Sequence, residues 1–173
     1  IFTRVQQGMG MTILIAISVT GIGAFFGTIL GAITGYYGGW LDEILMRLND
    51  MLAAFPSILL ALVFISILGS GKYIIILALG IIFIPSYARI VRGEFLRLRE
   101  SDYIKSAKLM GVSDFRIMLV HILPNGIPAL LSALTVGFNN AVLAEAGMSY
   151  LGIGVQPPDA SLGQMLSEAQ GYL

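Results

Sequence analysis

The sequence predicts an all-α protein, a polytopic transmembrane helix bundle of four spans with a cytoplasmic helix between spans three and four. Three observations predict it. Residues of the set AVILMFWYC make up 57% of the 173, and Asp, Glu, Lys and Arg only 12%, where a soluble domain carries about a quarter. The stretches 5–41, 51–71, 73–88 and 117–144 contain no charged residue and together hold 102 residues, more apolar chain than a soluble core of this size can enclose. Finally, the apolar runs are continuous, without the alternation in twos that a membrane β-strand needs.

Each span follows from the ~20 apolar residues that cross ~30 Å of hydrocarbon. The first run exceeds one crossing, so a helix over about 11–33 with interfacial ends is expected; the second span is placed at 51–68 and the third at 73–91. Arg89 and Arg92 can snorkel to the headgroups from the end of the third. The fourth span is placed at 127–143, entered through a turn at Pro124-Asn-Gly-Ile-Pro128. Tyr36, Tyr37, Trp40 and Tyr73 sit at span ends, where amphipathic aromatics favour the interface. Beyond Glu145 the chain turns rich in Gly and Pro (Gly152, Gly154, Pro157, Pro158) and closes with a short amphipathic piece over 161–173.

Seven of the ten Lys and Arg (Arg89, Arg92, Arg97, Arg99, Lys105, Lys108, Arg116) lie between spans three and four or at their edge. The segment after Leu143 has none, and carries Glu145, Asp159 and Glu168. The positive-inside rule therefore puts the 93–123 loop in the cytoplasm and the C-terminal segment outside. Alternation then places 35–50 inside and 69–72 outside, with Lys72 as the one dissenting charge. Ten basic residues balance ten acidic ones, so no overall basic field points to nucleic acid. Without Cys there is no disulfide or thiolate site, and one His with no His/carboxylate cluster argues against a structural metal. The chain opens at Ile1 with no basic region before a short apolar stretch, so an internal fragment is expected.

In span one, Gly23, Gly27, Gly31, Gly35 and Gly39 recur every four residues. Small residues at that spacing let helix backbones approach closely in lipid, either within the bundle or across a dimer interface. The run Leu68-Gly-Ser-Gly-Lys-Tyr73 looks like the end of a phosphate-binding loop. That motif needs Gly five residues before the Gly-Lys pair and Ser or Thr after the Lys, and the chain has Ser66 and Tyr73 there. It is rejected. Asn139, Asn140 and Glu145 fall towards the outer end of span four. Polar groups at membrane depth are costly and face a cavity or a bundle interior, so a place on a translocation path or at a partner interface is one reading. A helix end in the outer headgroups is the other.

Residues 101–125 are the most informative. Asp102 is a good N-cap for a helix starting at Tyr103, and Gly111 suits the position just past its end. On that helix Tyr103, Ala107 and Met110 share one face, and Lys105 and Lys108 lie mostly on another. Ser113 is expected to cap a second helix through 115–123, which Pro124 interrupts. A short half-apolar, half-basic helix thus protrudes between spans three and four; on pattern alone it could also lie on the membrane surface.

The residues resemble a known family. Lys105-Ser-Ala-Lys-Leu-Met-Gly111, followed by Ile122-Leu-Pro124, is similar to the EAA loop of ABC-importer permeases. The longer run from Asp102 to Asn125 resembles the second, C-type permease of dipeptide and oligopeptide importers. So do Gly35-Tyr-Tyr-Gly-Gly-Trp-Leu-Asp-Glu-Ile-Leu-Met-Arg47, Phe55-Pro-Ser57, Tyr87-Ala-Arg-Ile-Val-Arg-Gly93 and Glu145-Ala-Gly-Met-Ser-Tyr-Leu-Gly-Ile-Gly-Val-Gln-Pro-Pro158, in order along essentially the whole chain. Two positions depart. Lys105 stands at the family's glutamate with Ser106 at its first alanine, and Ile122 is displaced, leaving His121 in its usual place as an interfacial residue. The resemblance implies one permease domain over 1–173, with a first span, an external loop and a last span of the family absent.

It further implies that Tyr103, Lys105, Ser106, Ala107, Met110, Gly111 and Asp114 meet a cytoplasmic ATPase. The implied partners are a homologous second permease, two ABC ATPases and an external substrate-binding protein, in the cell membrane of a prokaryote. The chain itself would do no covalent chemistry, with ATP and Mg bound by the ATPases. Dipeptides or oligopeptides are the implied cargo, with nickel or glutathione as alternatives within the family. An ATP-independent channel or carrier is the rival class, disfavoured by spans that hold almost no charge before Glu145.

Overall fold

The computed structural model describes residues 2–156 and 159–171. Pro157 and Pro158 of the Gly- and Pro-rich segment, and Tyr172 and Leu173 of the amphipathic end, lie outside the described residues. Glycine and proline decide where the helices stop. Helix α1 spans Phe2–Tyr37, 36 residues or about 54 Å of rise. It overruns the expected 11–33 at both ends because nothing within it breaks an apolar helix. It ends where Gly38 and Gly39 adopt φ of 67° and 62°, values that only glycine takes at little cost.

The second span is not the straight helix expected over 51–68. Pro56 has no N–H and disfavours a helical residue before it, so the chain splits into α2, Gly39–Ala53, and α3, Ser57–Leu68, bent by 87°. The 12 residues of α3 rise only about 18 Å, short of ~30 Å of hydrocarbon. Helix α2 is amphipathic, with Trp40, Ile44, Leu48 and Met51 exposed along one side. Among the described residues three helices, Phe2–Tyr37, Lys72–Arg99 and Asp114–Tyr150, are long and apolar enough to cross a membrane alone, and the bent pair can supply a fourth crossing.

Helix α4, Lys72–Arg99, continues about two turns past the expected 91, because Val91, Phe95 and Leu98 keep one face buried. Two short elements follow, α5 at Asp102–Leu109 and α6 at Asp114–Arg116. A π-helical turn over Ile117–Ile122 then leads without a break into α7, Leu123–Tyr150, and α8 closes the chain at Leu162–Gln170. The expected interruption at Pro124 and entry turn at 124–128 are absent. Pro124 sits in the first turn of α7, directly after the wide π turn, which departs from the i→i−4 pattern and so accommodates a residue without an N–H. The wide π turn is closed by the Leu123 N–H donating to Met118 O.

The glycine stripe is the seam between α1 and α4. A Cβ at Gly27 would lie 2.6 Å from Tyr87 Cβ, one at Gly31 2.5 Å from Ala88 O, and one at Gly35 2.7 Å from Arg92 O. Gly23 meets the Phe83 and Tyr87 side chains. Gly39 falls outside the stripe, beyond the end of α1 with nothing within 4 Å. The Tyr87 ring fills the point where the seam meets α7, wedged between Gly23 and Gly137. An outer core of Ile15, Val19, Leu79, Ala141 and Met148 lies on one side of it, and an inner core of Tyr36, Phe95, Leu98, Ile104 and Ile117 on the other.

The two ends segregate as alternation requires. At one, Arg4 pairs with Glu168 at 3.1 Å, Lys72 pairs with Asp159 at 2.8 Å, and the Leu162 N–H donates to Thr12 Oγ1 at 3.3 Å. Lys72, out of place by the positive-inside rule, is thus the counter-charge that ties the C-terminal segment to α4. The opposite end carries α2, α5 and the basic cluster.

Candidate functional site

The basic end is built around the C-terminus of α1. Arg99 reaches from α4 to donate to the Gly35 and Tyr36 carbonyls at 3.3 and 3.2 Å, satisfying carbonyls that a helix end leaves free. Arg92 grips Asp42 of α2 through two bonds of 2.6 Å, and Arg89 pairs with Asp50 at 2.8 Å. Much of the positive charge that sets the orientation is therefore spent inside the chain, holding α2 against α4.

Helix α5 is docked on this end by its own apolar positions. Ser101, not Asp102, is the N-cap residue, and its hydroxyl donates back to Leu98 O instead of capping. Gly111 takes φ of 78°, and the Gly111 and Val112 N–H groups return to Lys108 O and Ala107 O at 3.0 and 3.1 Å. That is the Schellman pattern of a glycine-terminated helix. Gly152 repeats it at the end of α7, with Ile153 N–H bonded to Met148 O.

The face of α5 that meets its own chain differs from the expected one. Ile104 is 0% and Ala107 2% exposed, both in the inner core with Tyr36, Phe95 and Ile117. Ala107 is therefore not surface open to a partner; its small side chain brings α5 close to its own bundle. Tyr103 is exposed at the edge, and Lys108 lays its ammonium over the Tyr36 ring, 4.8 Å from the centroid. Leu109 at 90% and Met110 at 76% exposed point away from the bundle, beside exposed Lys105, Ser106 and Gly111. Asp114 accepts a hydrogen bond from the Tyr36 hydroxyl, so it clamps α6 to α1. Leu109 and Phe115, both prominent, are the residues sequence reasoning missed. The signal was present: once Ile104 and Ala107, three apart, are taken as the buried pair, Leu109 falls opposite them at 100° per residue.

Glu145 does not join the asparagines. It is 0% exposed, and its Oε1 accepts from the Ser149 hydroxyl at 2.6 Å, while Ser149 Oγ accepts from the Val155 N–H at 3.2 Å. This carboxylate thus sits neither on an open path nor in the headgroups: α7 continues past it to Tyr150 and turns it inward. Asn139 and Asn140 are exposed on two different sides of α7. Asn139 lines a cleft with Thr20 and Ile17 of α1, and Asn140 one with Ser86 of α4 and Ser57 of α3. His121 Nδ1 stands 3.4 Å from Arg116 O, and no three His, Asp or Glu side chains among the described residues gather where they could hold a metal.

Helix α5 is thus pinned through Ile104 and Ala107 to three spanning elements and presents Leu109 and Met110 outward at the basic end. A family model described as the binding-protein-dependent transport system inner membrane component matches residues 27–173. The chain belongs to that family. It is 40% identical over 170 residues to the glutathione transport system permease protein of Pectobacterium atrosepticum, covering 98% of this chain and 56% of the relative. It is 39% identical to the dipeptide transport system permease proteins of Alkalihalophilus pseudofirmus and Haemophilus influenzae, covering all of this chain and 57% and 59% of theirs. The chain thus spans a little over half the length of these relatives. Two crystal forms of the MetNI methionine ABC transporter, described as inward facing, share the fold. One has a TM-score of 0.76 at 19% identity over 99% of this chain and 91% of that one; the other has 0.70 at 22% over 93% and 79%.

Proposed function

We propose that this chain is a permease subunit of an ATP-driven importer, forming part of a path for dipeptides or short peptides and coupling it to a cytoplasmic ATPase through α5. The observation that carries this is the exposed Leu109–Met110 edge on a helix whose other face is locked into the inner core. A partner that seats on that edge moves α1, α4 and the π turn together, since all three share the core that holds Ile104 and Ala107. Such movement changes the state of the bundle only if the docked contacts differ between nucleotide states. The chain supplies no hydrolytic chemistry; ATP and Mg are held by two ATPase subunits, and a second permease and an external binding protein complete the assembly. The basic end faces the cytoplasm by the positive-inside rule. Glutathione is a second reading of the cargo, because one set of relatives is named for its transport.

The test is reconstitution of the complete transporter in proteoliposomes, with uptake of a labelled dipeptide and of glutathione followed with and without ATP. ATP-dependent uptake, and an ATPase that co-purifies and is shed by Leu109→Asp, are expected. Uptake that proceeds without ATP, or a complex that lacks any ATPase, overturns the proposal.

A further inference from the structure

The bundle has two unlike flanks. Along α1 the outward residues Ile13, Leu14, Phe25, Phe26 and Ile29 are exposed and apolar, as lipid requires. The α4–α7 seam is different. A cleft of 390 Å³ takes Ser57, Ser86 and Asn140 into its lining, and a second of 420 Å³ continues from it along the same seam, sharing Phe83, Ser86 and Asn140 and adding Ser132. From Ala129 to Ala144 the furrow follows 16 residues of α7, about 22 Å of rise and most of a ~30 Å hydrocarbon core.

The polar groups in it are of two kinds. Ser132 turns its hydroxyl back to Pro128 O at 3.1 Å, as Thr135 does to Leu131 O, and a hydroxyl so satisfied tolerates lipid. Ser86 and Asn140 have no such internal partner among the described residues, and both are exposed. Ser86 lies midway along α4, 14 residues from Lys72 and 13 from Arg99. A free amide and a free hydroxyl at that depth are not left against hydrocarbon, which offers no hydrogen-bond partner. Water, solute or another protein must meet them.

We infer that the α4–α7 furrow is this chain's wall of the translocation path, with Ser86 and Asn140 as hydrogen-bonding rungs for an amide-bearing solute; this rests on the importer reading above. Three helices converge their neutral polar groups on one furrow that runs along the membrane normal. The α1–α7 cleft at Asn139 draws on two helices alone. An amide and hydroxyls, between Phe83, Ile82 and Val136, can exchange bonds with a peptide backbone. A transition-metal cation asks instead for imidazole, thiolate or carboxylate ligands, and neither cleft is lined by one. Asn139 is left to meet the second permease.

The chain has no Cys, so single-cysteine variants are clean probes. Ser86→Cys, Asn140→Cys, Asn139→Cys and Phe25→Cys are placed in the complete transporter with Cys-free partners. Each is treated with a membrane-impermeant methanethiosulfonate, with and without ATP and vanadate. Because the thiolate reacts and forms in water rather than hydrocarbon, Ser86→Cys and Asn140→Cys are expected to react at least about tenfold faster than Phe25→Cys, at rates that change with nucleotide state. Asn139→Cys is expected to stay slow. Asn140→Leu should lower dipeptide uptake severalfold while ATP hydrolysis stimulated by the binding protein persists. Labelling at 86 and 140 no faster than at 25, or cross-linking of both positions to the second permease, overturns the assignment while ATP-driven uptake by the parent stands. Absence of ATP-driven uptake in the parent brings down the importer reading and this assignment with it.

Discussion

Truncating Leu109 separates the docking face proposed from burial from the one the sequence pattern implies. Leu109 is 90% exposed and Ala107 2%, so the two residues answer to different equilibria. Burying a leucine against a partner contributes roughly 1.5–3 kcal/mol. Leu109→Ala, which keeps Cβ, should forfeit about 2 kcal/mol of docking, or about 30-fold in affinity for the ATPase. The isolated subunit loses nothing it had buried, and its stability should stay within ~0.5 kcal/mol. Ala107→Leu does the reverse. It forces three more carbons into the inner core beside Ile104 and Phe95, which costs ~1–3 kcal/mol of fold stability. The assay is titration of purified ATPase against the permease complex in nanodiscs, with melting of the subunit followed in parallel. Unchanged ATPase affinity in Leu109→Ala, with a stable Ala107→Leu subunit that binds worse, would refute the rotation of the docking face argued from burial.

Three further outcomes follow from the packing. In Gly31→Val the new Cβ stands 2.5 Å from Ala88 O and 2.8 Å from Val91 Cβ; contact at ~3.5 Å requires α1 and α4 to part by about 1 Å, lowering stability by ~1–3 kcal/mol. Gly21→Val, with nothing within 4 Å, is the control, and equal melting losses would deny that the stripe is the seam. Asp42→Asn removes the charge that accepts two bonds of 2.6 Å from Arg92; a loss of ~1.5–3 kcal/mol is expected, seen as faster hydrogen exchange over residues 39–53. Gly111→Val puts a branched residue at φ of 78°, costing roughly 1–2 kcal/mol locally. It should leave insertion intact while raising the ATP hydrolysed per solute imported, and a normal ratio would count against coupling through α5.

The membrane class, the polarity of the two ends and the place of α5 were legible because they rest on composition and local signals. Charge-free runs count residues, the positive-inside rule counts Lys and Arg, and Gly111 marks a helix end wherever the helix lies. The glycines at 23, 27, 31 and 35 announced a close helix contact, though α4 as the partner is a fact of packing. The broken second span was readable in principle, since Pro56 stands inside the 51–68 run. Hydropathy hid it: Pro56 scarcely lowers the average of so apolar a window, yet it turns the chain by 87°. Pro124 misled the other way, because a π turn just before it lets the helix pass through.

By itself the sequence determined that this chain needs lipid, which end carries positive charge, and that a short helix interrupts the hydrophobic pattern there. These follow from how many apolar and charged residues occur and in what order. Tertiary structure alone decided which way each side chain on those helices points. A helical wheel places Tyr103, Ala107 and Met110 together, but α5 ends at Leu109 and the inner core takes Ile104 with Ala107, turning Leu109 outward. It also sends Glu145 inward to Ser149, and Asn139 and Asn140 to different clefts. Direction on a helix surface is settled by what packs against it, and that information lies in residues far away along the chain.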